Sequence, residues 1–271
     1  MKYLFILLFS ALITYGCVEK KSTTTSSESP IVTREVSYSA DGTTLKGFLA
    51  YDSSKVGKRP GVIVVHEWWG LTDYAKKRAK MLAKLGYVAF AVDMYGNGVT
   101  VDNPKDAGRL AGEALHSMDT ATARFNAGLN ILKEQPETDT SKIAAIGYCF
   151  GGGVVLDMAL AGDNLNGVVS FHGDLPTGKV ANPQDVKAKV LVCTGGADPF
   201  NPKKKVDAFE DAMNTAKVDY KVISYPGAEH SFTNPAADSL GKKFNLPIAY
   251  NKQADEKSWA AMQNFFDKIF K

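Results

Sequence analysis

The sequence predicts an α/β fold: a mostly parallel sheet with helices on both faces, entered through an antiparallel N-terminal hairpin. Three observations carry this. Two short strand patterns, at 33–38 and 44–51, flank Ala40-Asp41-Gly42, and Asp-Gly is a strong hairpin turn. Beyond them, strand patterns alternate with helix patterns, the signature of βαβ units. Finally, the run Gly61-Val62-Ile63-Val64-Val65 is continuously apolar, as a parallel strand buried on both faces must be.

The elements follow in order. Thr72 or Asp73 can cap a helix with apolar positions at Tyr74, Met81, Leu82 and Leu85, and Gly86 can stop it. Residues 87–92 form the next strand. Pro104 opens a helix reaching to about His116, and a second runs over 119–133 before Pro136. Strands at 142–146, 167–171, 189–193 and 220–225 alternate with helices at 149–160 and 204–216. An amphipathic helix at 256–270 closes the chain.

The N-terminus is expected to lie outside this fold. After Lys2, the 11 residues from Tyr3 to Ile13 are uncharged and mostly apolar. A membrane helix needs about 20 such residues, whereas a secretory h-region needs about 7–15. The run ends at Thr14-Tyr15-Gly16-Cys17, and a small residue before Cys resembles a lipobox. Residues 1–16 are therefore expected to be a signal peptide, with Cys17 the lipidated residue. Residues 17–30 are expected to be a flexible tether, since KKSTTTSSESP at 20–30 has no apolar residue to bury. Residues 31–271 make one domain. The expected location is that of an exported bacterial lipoprotein, membrane-anchored on the periplasmic or cell-surface side.

Composition excludes other classes. Of 271 residues, 45% are hydrophobic and 23% charged, as in globular proteins. A net charge of +3 supplies no field for nucleic acid, and Lys203-Lys204-Lys205 reads as a solvated face. Three cysteines cannot build a disulfide framework, and Cys193, within an apolar strand, reads as inert core. No ligand cluster has zinc spacing, so neither metal nor other cofactor is expected.

In open α/β sheets function gathers at the carboxyl ends of the strands. There the strand 143–146 runs into Gly147-Tyr148-Cys149-Phe150-Gly151-Gly152. This is a nucleophile elbow of the α/β-hydrolase type, with Cys for Ser. The turn sets the sulfur at a helix N-terminus, which favours a thiolate and offers N–H groups to an oxyanion. Asp198 follows the strand at 189–193, and His230 follows the strand at 220–225. Nucleophile, acid, base is the chain order of that fold. Cys149 is thus the candidate nucleophile, His230 the general base and acid, and Asp198 its orienting acid. After the first long strand comes His66-Glu67-Trp68-Trp69-Gly70, where the second oxyanion N–H belongs. It is not a zincin motif, because position 70 is Gly rather than His. Trp68 and Trp69 are candidates for an apolar pocket wall.

With these motifs and Gly196-Ala197-Asp198-Pro199 and Ala228-Glu229-His230-Ser231-Phe232, residues 31–271 resemble the dienelactone hydrolase family. The resemblance implies an α/β-hydrolase domain with a Cys149-His230-Asp198 triad. It implies that Glu67 contacts the resting thiol and helps form the thiolate, and that the N–H groups of Trp68 and Phe150 form the oxyanion hole. It also marks two departures. The family grips a substrate carboxylate with two arginines, one just after an Asp-x-Tyr turn and one four residues after the catalytic His. Here the first site reads Asp93-Met94-Tyr95-Gly96 and the second holds Asn234. Gly or Asn cannot replace a bidentate clamp, so a substrate other than the dienelactone is expected. Trp69, Tyr95, His172 and Asn234 are expected to line the altered pocket.

The function expected is hydrolysis of a small-molecule ester or lactone through an acyl-cysteine. The alternatives are acyl transfer or thioester cleavage by the same triad, or a non-catalytic binding lipoprotein on a hydrolase scaffold.

Overall fold

A two-residue turn opens the described chain. In the computed structural model, which describes Met1 and residues 30–271, β1 (Ile31–Ala40) pairs with β2 (Thr43–Asp52) from Ala40 opposite Thr43. Asp41 and Gly42 both have positive φ, 49° and 71°, as the expected Asp-Gly turn requires. The expected leader, lipidated Cys17 and tether lie outside the described residues.

The chain then alternates between strand and helix. In order come β3 (Arg59–Val65), α1 (Asp73–Lys84), β4 (Val88–Val92), α2 (Pro104–Leu115), α3 (Met118–Lys133), β5 (Thr138–Tyr148), α4 (Phe150–Leu160), β6 (Gly167–Phe171), β7 (Lys189–Gly195), α5 (Lys203–Ala216), β8 (Tyr220–Tyr225), α6 (Ala237–Phe244) and α7 (Lys252–Ile269). A 3-10 turn at Pro183–Asp185 precedes β7.

Among the described residues the strands form one eight-stranded sheet in the order β1-β2-β4-β3-β5-β6-β7-β8. The first two pairings, β1/β2 and β2/β4, are antiparallel and the others are parallel. β3 has β4 on one side and β5 on the other, so the chain reverses its direction of progress across the sheet beside β3. Such a switch point opens a crevice at the strands' carboxyl ends.

Side chains of successive residues point to opposite faces, and here both faces are dry. Ile63, Val65, Phe90 and Val92 pack with Phe125, Leu129 and Leu132 of α3; the same core takes in Val154 of α4 and Phe209 of α5. Val62, Val64, Ala144 and Ile146 face Ala75, Ala79 and Leu82 of α1 and Met262 and Phe266 of α7. Each large side chain so buried stabilises the fold by about 1.5–3 kcal/mol before entropy is counted.

Three expectations shift. β5 begins four residues early, because Thr138 and Asp139 pair with Arg59 and Pro60 before a register shift at Pro60/Gly61. Between the two paired stretches, the Ser141 N–H and hydroxyl donate to Asp139 Oδ1, the local bonding of a kinked strand. α7 begins at Lys252, where the Asn251 side chain accepts the Ala254 N–H at 3.0 Å. α6 was not foreseen; its start lacks a side-chain cap, and its end is an αL residue, Asn245.

Candidate active site

The elbow is built by close approach. Cys149 has φ 52° and ψ −115°, strained for a residue with a Cβ. A Cβ on Gly147 would collide with the Gly151 carbonyl, and one on Gly151 with the Val65 carbonyl. The expected helix therefore starts at Phe150, with Cys149 as its half-buried first flank. The Gly151 N–H donates to the His66 carbonyl at 3.1 Å, tying the elbow to the loop after β3. Within the elbow the N–H groups of Gly152 and Gly153 donate to the Cys149 carbonyl, while that of Phe150 has no part in these bonds.

The loop after β7 carries Asp198, which is buried. Its Oδ1 accepts the Phe200 N–H at 2.8 Å, and its Oδ2 accepts from Asn201 Nδ2 at 3.3 Å and from His230 Nδ1 at 2.9 Å. Burial would raise its pKa, but His230 and these donors together pull it below the usual carboxylate range. Nδ1 of His230 is thus fixed as a donor, leaving Nε2 free of Asp198, and both His230 and Cys149 line one cavity. Burial pulls the pKa of His230 down. Its interactions with Cys149 and Asp198 outweigh this and lift it to about 10. The ring is also clasped edge-on by Phe200 and His172, with centroids at 4.9 and 5.3 Å.

His66 shapes the loop opposite. Its Nε2 accepts the Met94 N–H at 3.2 Å, so Nδ1 carries the proton and donates to the Glu67 carbonyl at 2.5 Å. Burial lowers its pKa to about 4, keeping the ring neutral as this pattern requires. Tyr95 donates its hydroxyl proton to the Trp68 carbonyl at 2.8 Å. The peptide that presents the Trp68 N–H is thereby held from both sides. The Glu67 side chain is buried and its pKa is pushed up to about 7, with Asn234, His230, Ser231 and Arg78 opposing that rise.

A cavity of about 250 Å³ opens over Cys149 and His230. Its apolar wall comes from Trp68, Ala111, Phe150, Phe200, Leu246 and Ile248, with Asp174, Asn201 and Ser231 also on the lining. No arginine or lysine is among the lining residues.

The four residues expected to line the pocket are not among its lining residues. Trp69 is buried between Trp68 and Phe244. Tyr95 is spent on the Trp68 carbonyl, Asn234 on Glu67, and His172 on the back of the elbow. The Gly96 position could not carry an arginine without strain: its φ is 96°, and a Cβ would sit 2.6 Å from Thr43. Sequence reasoning missed Ala111, Phe200, Leu246 and Ile248. Phe200 had a signal, standing two residues past Asp198; the other three belong to α2 and the segment after α6, remote in sequence from every motif.

The dienelactone hydrolase family matches residues 45–270. The chain belongs to this family. Its relatives span nearly the same length. Protein usf of Aquifex pyrophilus is 33% identical over 80% of this chain and 97% of its own. A protein of Aquifex aeolicus with a provisional carboxymethylenebutenolidase name is 28% identical over 87% of this chain and 98% of its own. Among solved structures, a dienelactone hydrolase-like promiscuous phosphotriesterase from metagenomic libraries is 37% identical. It covers 88% of this chain and 98% of its own, with a TM-score of 0.83. This dienelactone hydrolase family member is a hydrolase of ester or lactone bonds on an α/β-hydrolase fold.

Proposed function

We propose that the enzyme works through Cys149, His230 and Asp198 by way of an acyl-cysteine. The observation that carries this reading is the 2.9 Å hydrogen bond from His230 Nδ1 to the Asp198 carboxylate, with His230 and Cys149 lining the same cavity. The sulfur attacks the carbonyl carbon, and the carbonyl oxygen becomes an oxyanion between the Trp68 and Phe150 N–H groups. The C–O bond breaks as the His230 imidazolium gives its proton to the leaving oxygen. His230, now neutral, takes a proton from water, which attacks the thioester and frees the acid; Asp198 stabilises the imidazolium in both directions.

The preferred substrate is uncharged. An apolar cavity with no cation on its lining, and with Asp174 at its edge, offers nothing to pair with a substrate carboxylate. That argues for esters or lactones other than the carboxylate-bearing dienelactone. The N-terminal segment supports a further part of the reading: removal of residues 1–16, lipidation at Cys17 and export to the outer side of a membrane, with residues 17–30 as tether.

The test is turnover of aryl esters of increasing acyl length, with an aryl phosphotriester added because of the metagenomic relative's activity. Wild type and Cys149→Ala are compared, with iodoacetamide labelling read by mass spectrometry. Turnover lost in the variant and label on Cys149 is the expected result. Equal turnover in both proteins would overturn the thiol mechanism. A mature mass starting at an unmodified residue other than 17 would overturn the lipid anchor.

A further inference from the structure

Tyr148 and Phe171 are the last paired residues of β5 and β6. The next residue of each strand, Cys149 and His172, leaves the sheet at positive φ, 52° and 41°. Two neighbouring non-glycine residues in this region cost about 1 kcal/mol or more each, and such strain persists only where surroundings enforce it. The two are bonded to one another. The Cys149 N–H is shared between the Phe171 carbonyl at 3.0 Å and His172 Nδ1 at 3.1 Å.

An amide N–H can only donate, so Nδ1 of His172 is the unprotonated nitrogen and the proton sits on Nε2. Nε2 lies 2.7 Å from Thr233 Oγ1 and donates to it. Thr233 is in turn fixed from below. Its Oγ1 is 2.5 Å from the Tyr74 hydroxyl, which accepts from Arg78 Nε at 3.3 Å. Arg78 Nη2 donates to the Thr233 carbonyl at 2.6 Å and to Asp255 at 2.6 Å. His172 is fully buried, and its ring stands edge-on to His230 and Phe232. Burial first, then the charges of His230 and Arg78, hold it well below the ordinary histidine range, so it stays neutral beside the imidazolium.

We infer that His172, its Nε2–H tautomer set by the Cys149 N–H and its ring held by Thr233, is a positioning residue that fixes the nucleophile elbow through the Cys149 N–H. The inference rests on the proposed role of Cys149. The backbone that His172 holds carries both the sulfur and the adjacent Phe150 N–H. A rotation there would move the attacking atom and an oxyanion donor together, raising the barrier without emptying the pocket. The wrong tautomer would set an Nδ1–H against the Cys149 N–H and push the elbow away.

The experiment measures kcat, KM and melting temperature on an aryl ester for the intact protein and four variants. His172→Phe removes the acceptor, and Thr233→Val removes the hydroxyl that accepts the Nε2 proton and holds the ring. His172→Asn restores an acceptor, Oδ1, near the place of Nδ1. Cys149→Ala is the control. The expected result is kcat down about tenfold or more in His172→Phe and Thr233→Val, with KM within about twofold of wild type. His172→Asn recovers most of the loss. If kcat in Thr233→Val stays within about twofold of wild type, or if His172→Asn is no better than His172→Phe, the inference is overturned. Should His172→Phe not fold, Thr233→Val still decides. Full turnover in Cys149→Ala would instead bring down the nucleophile assignment, a separate result from the other three.

Discussion

Asn234 donates its Nδ2 proton to Glu67 Oε2 at 2.6 Å. Asn234 stands four residues after His230, where dienelactone hydrolases proper place a substrate-binding arginine. The side chain that would reach outward to a carboxylate here turns inward to the enzyme's own acid. One change of residue thus does two things. It removes a cation from the substrate side, and it anchors the buried carboxyl of Glu67.

That anchored carboxyl makes stability depend on pH. Burial raises Glu67 from 4.5 to about 7. A folded-state pKa above the unfolded one means that the proton favours the fold. The contribution is complete below pH 4.5 and is lost as pH rises through about 7. At about 1.4 kcal/mol per tenfold change the effect is at most about 3–4 kcal/mol. Glu67→Gln keeps a partner for Asn234 without the charge. Its stability relative to wild type, measured by urea unfolding, should rise between pH 5 and pH 8. No difference in that pH dependence would show that Glu67 titrates normally.

His230 gives a second pH signature of opposite origin. Burial lowers its pKa, but its interactions with Cys149 and Asp198 prevail and lift it to about 10. His230→Gln removes that titration, so the stability of wild type relative to this variant, followed by urea unfolding, should fall between pH 7 and pH 10, and an unchanged difference would show that His230 titrates normally. The stabilisation from the raised His230 is complete below pH 6.5 and is lost as pH climbs through about 10.

Asp198→Asn tests the orientation of that ring. Asn201 and the Phe200 N–H can still hold an amide oxygen, so the loop should keep its form. The amide cannot compensate an imidazolium, and its N–H₂ favours the wrong His230 tautomer. A fall in kcat of about a thousandfold or more is expected, with the melting temperature little changed. A loss below about tenfold would make Asp198 a structural residue only.

How legible this was in the sequence depended on range. Each of Cys149, Asp198 and His230 follows its own strand, so the chain order and the strand patterns together point to these three as the proposed triad. The pocket wall was hidden, because Ala111 and Ile248 carry no local pattern and meet only across the folded top of the sheet. His172 and Asn234 were singled out but assigned the wrong surroundings. Their residue types suit a polar pocket, and only the partners, the Cys149 N–H and Glu67, reveal that both face inward. Arg78 drew no notice, since a charge on a helix such as α1 ordinarily faces water. In the fold it is buried, with its guanidinium over the rings of Tyr74, Tyr148 and Trp259.

Arg78 therefore supplies a stability test. Its ion pair with Asp255 at 2.6 Å joins α1 to α7, with both side chains largely shielded, at 5% and 15% exposure. Removing one partner of such a pair leaves the other charge uncompensated, at a cost of about 3–5 kcal/mol. Arg78→Met keeps much of the length and volume, yet deprives Asp255 and the Thr233 carbonyl of their donor. A clear fall in melting temperature is expected. Asp255→Asn added to Arg78→Met should restore part of it, because no charge is then stranded. A fully additive double variant would argue that the pair is not coupled.

The last prediction concerns the acyl group. Ala111 is the smallest side chain in the apolar wall, and it faces a cavity that also meets Phe200 and Cys149. Ala111→Phe would occupy the space that a longer acyl chain needs and leave the sulfur and His230 untouched. For an aryl acetate kcat/KM should hold within about threefold. For an aryl hexanoate it should fall about tenfold or more, since each displaced methylene forfeits about 1 kcal/mol or more of binding in an apolar pocket. The complementary variant, Phe200→Ala, widens the opposite wall but also strips the ring packed on His230 at 4.9 Å. Its kcat should fall for every ester while its chain-length preference moves upward. Equal losses on acetate and hexanoate in Ala111→Phe would place the acyl group elsewhere, on the open side of the cavity beyond α2.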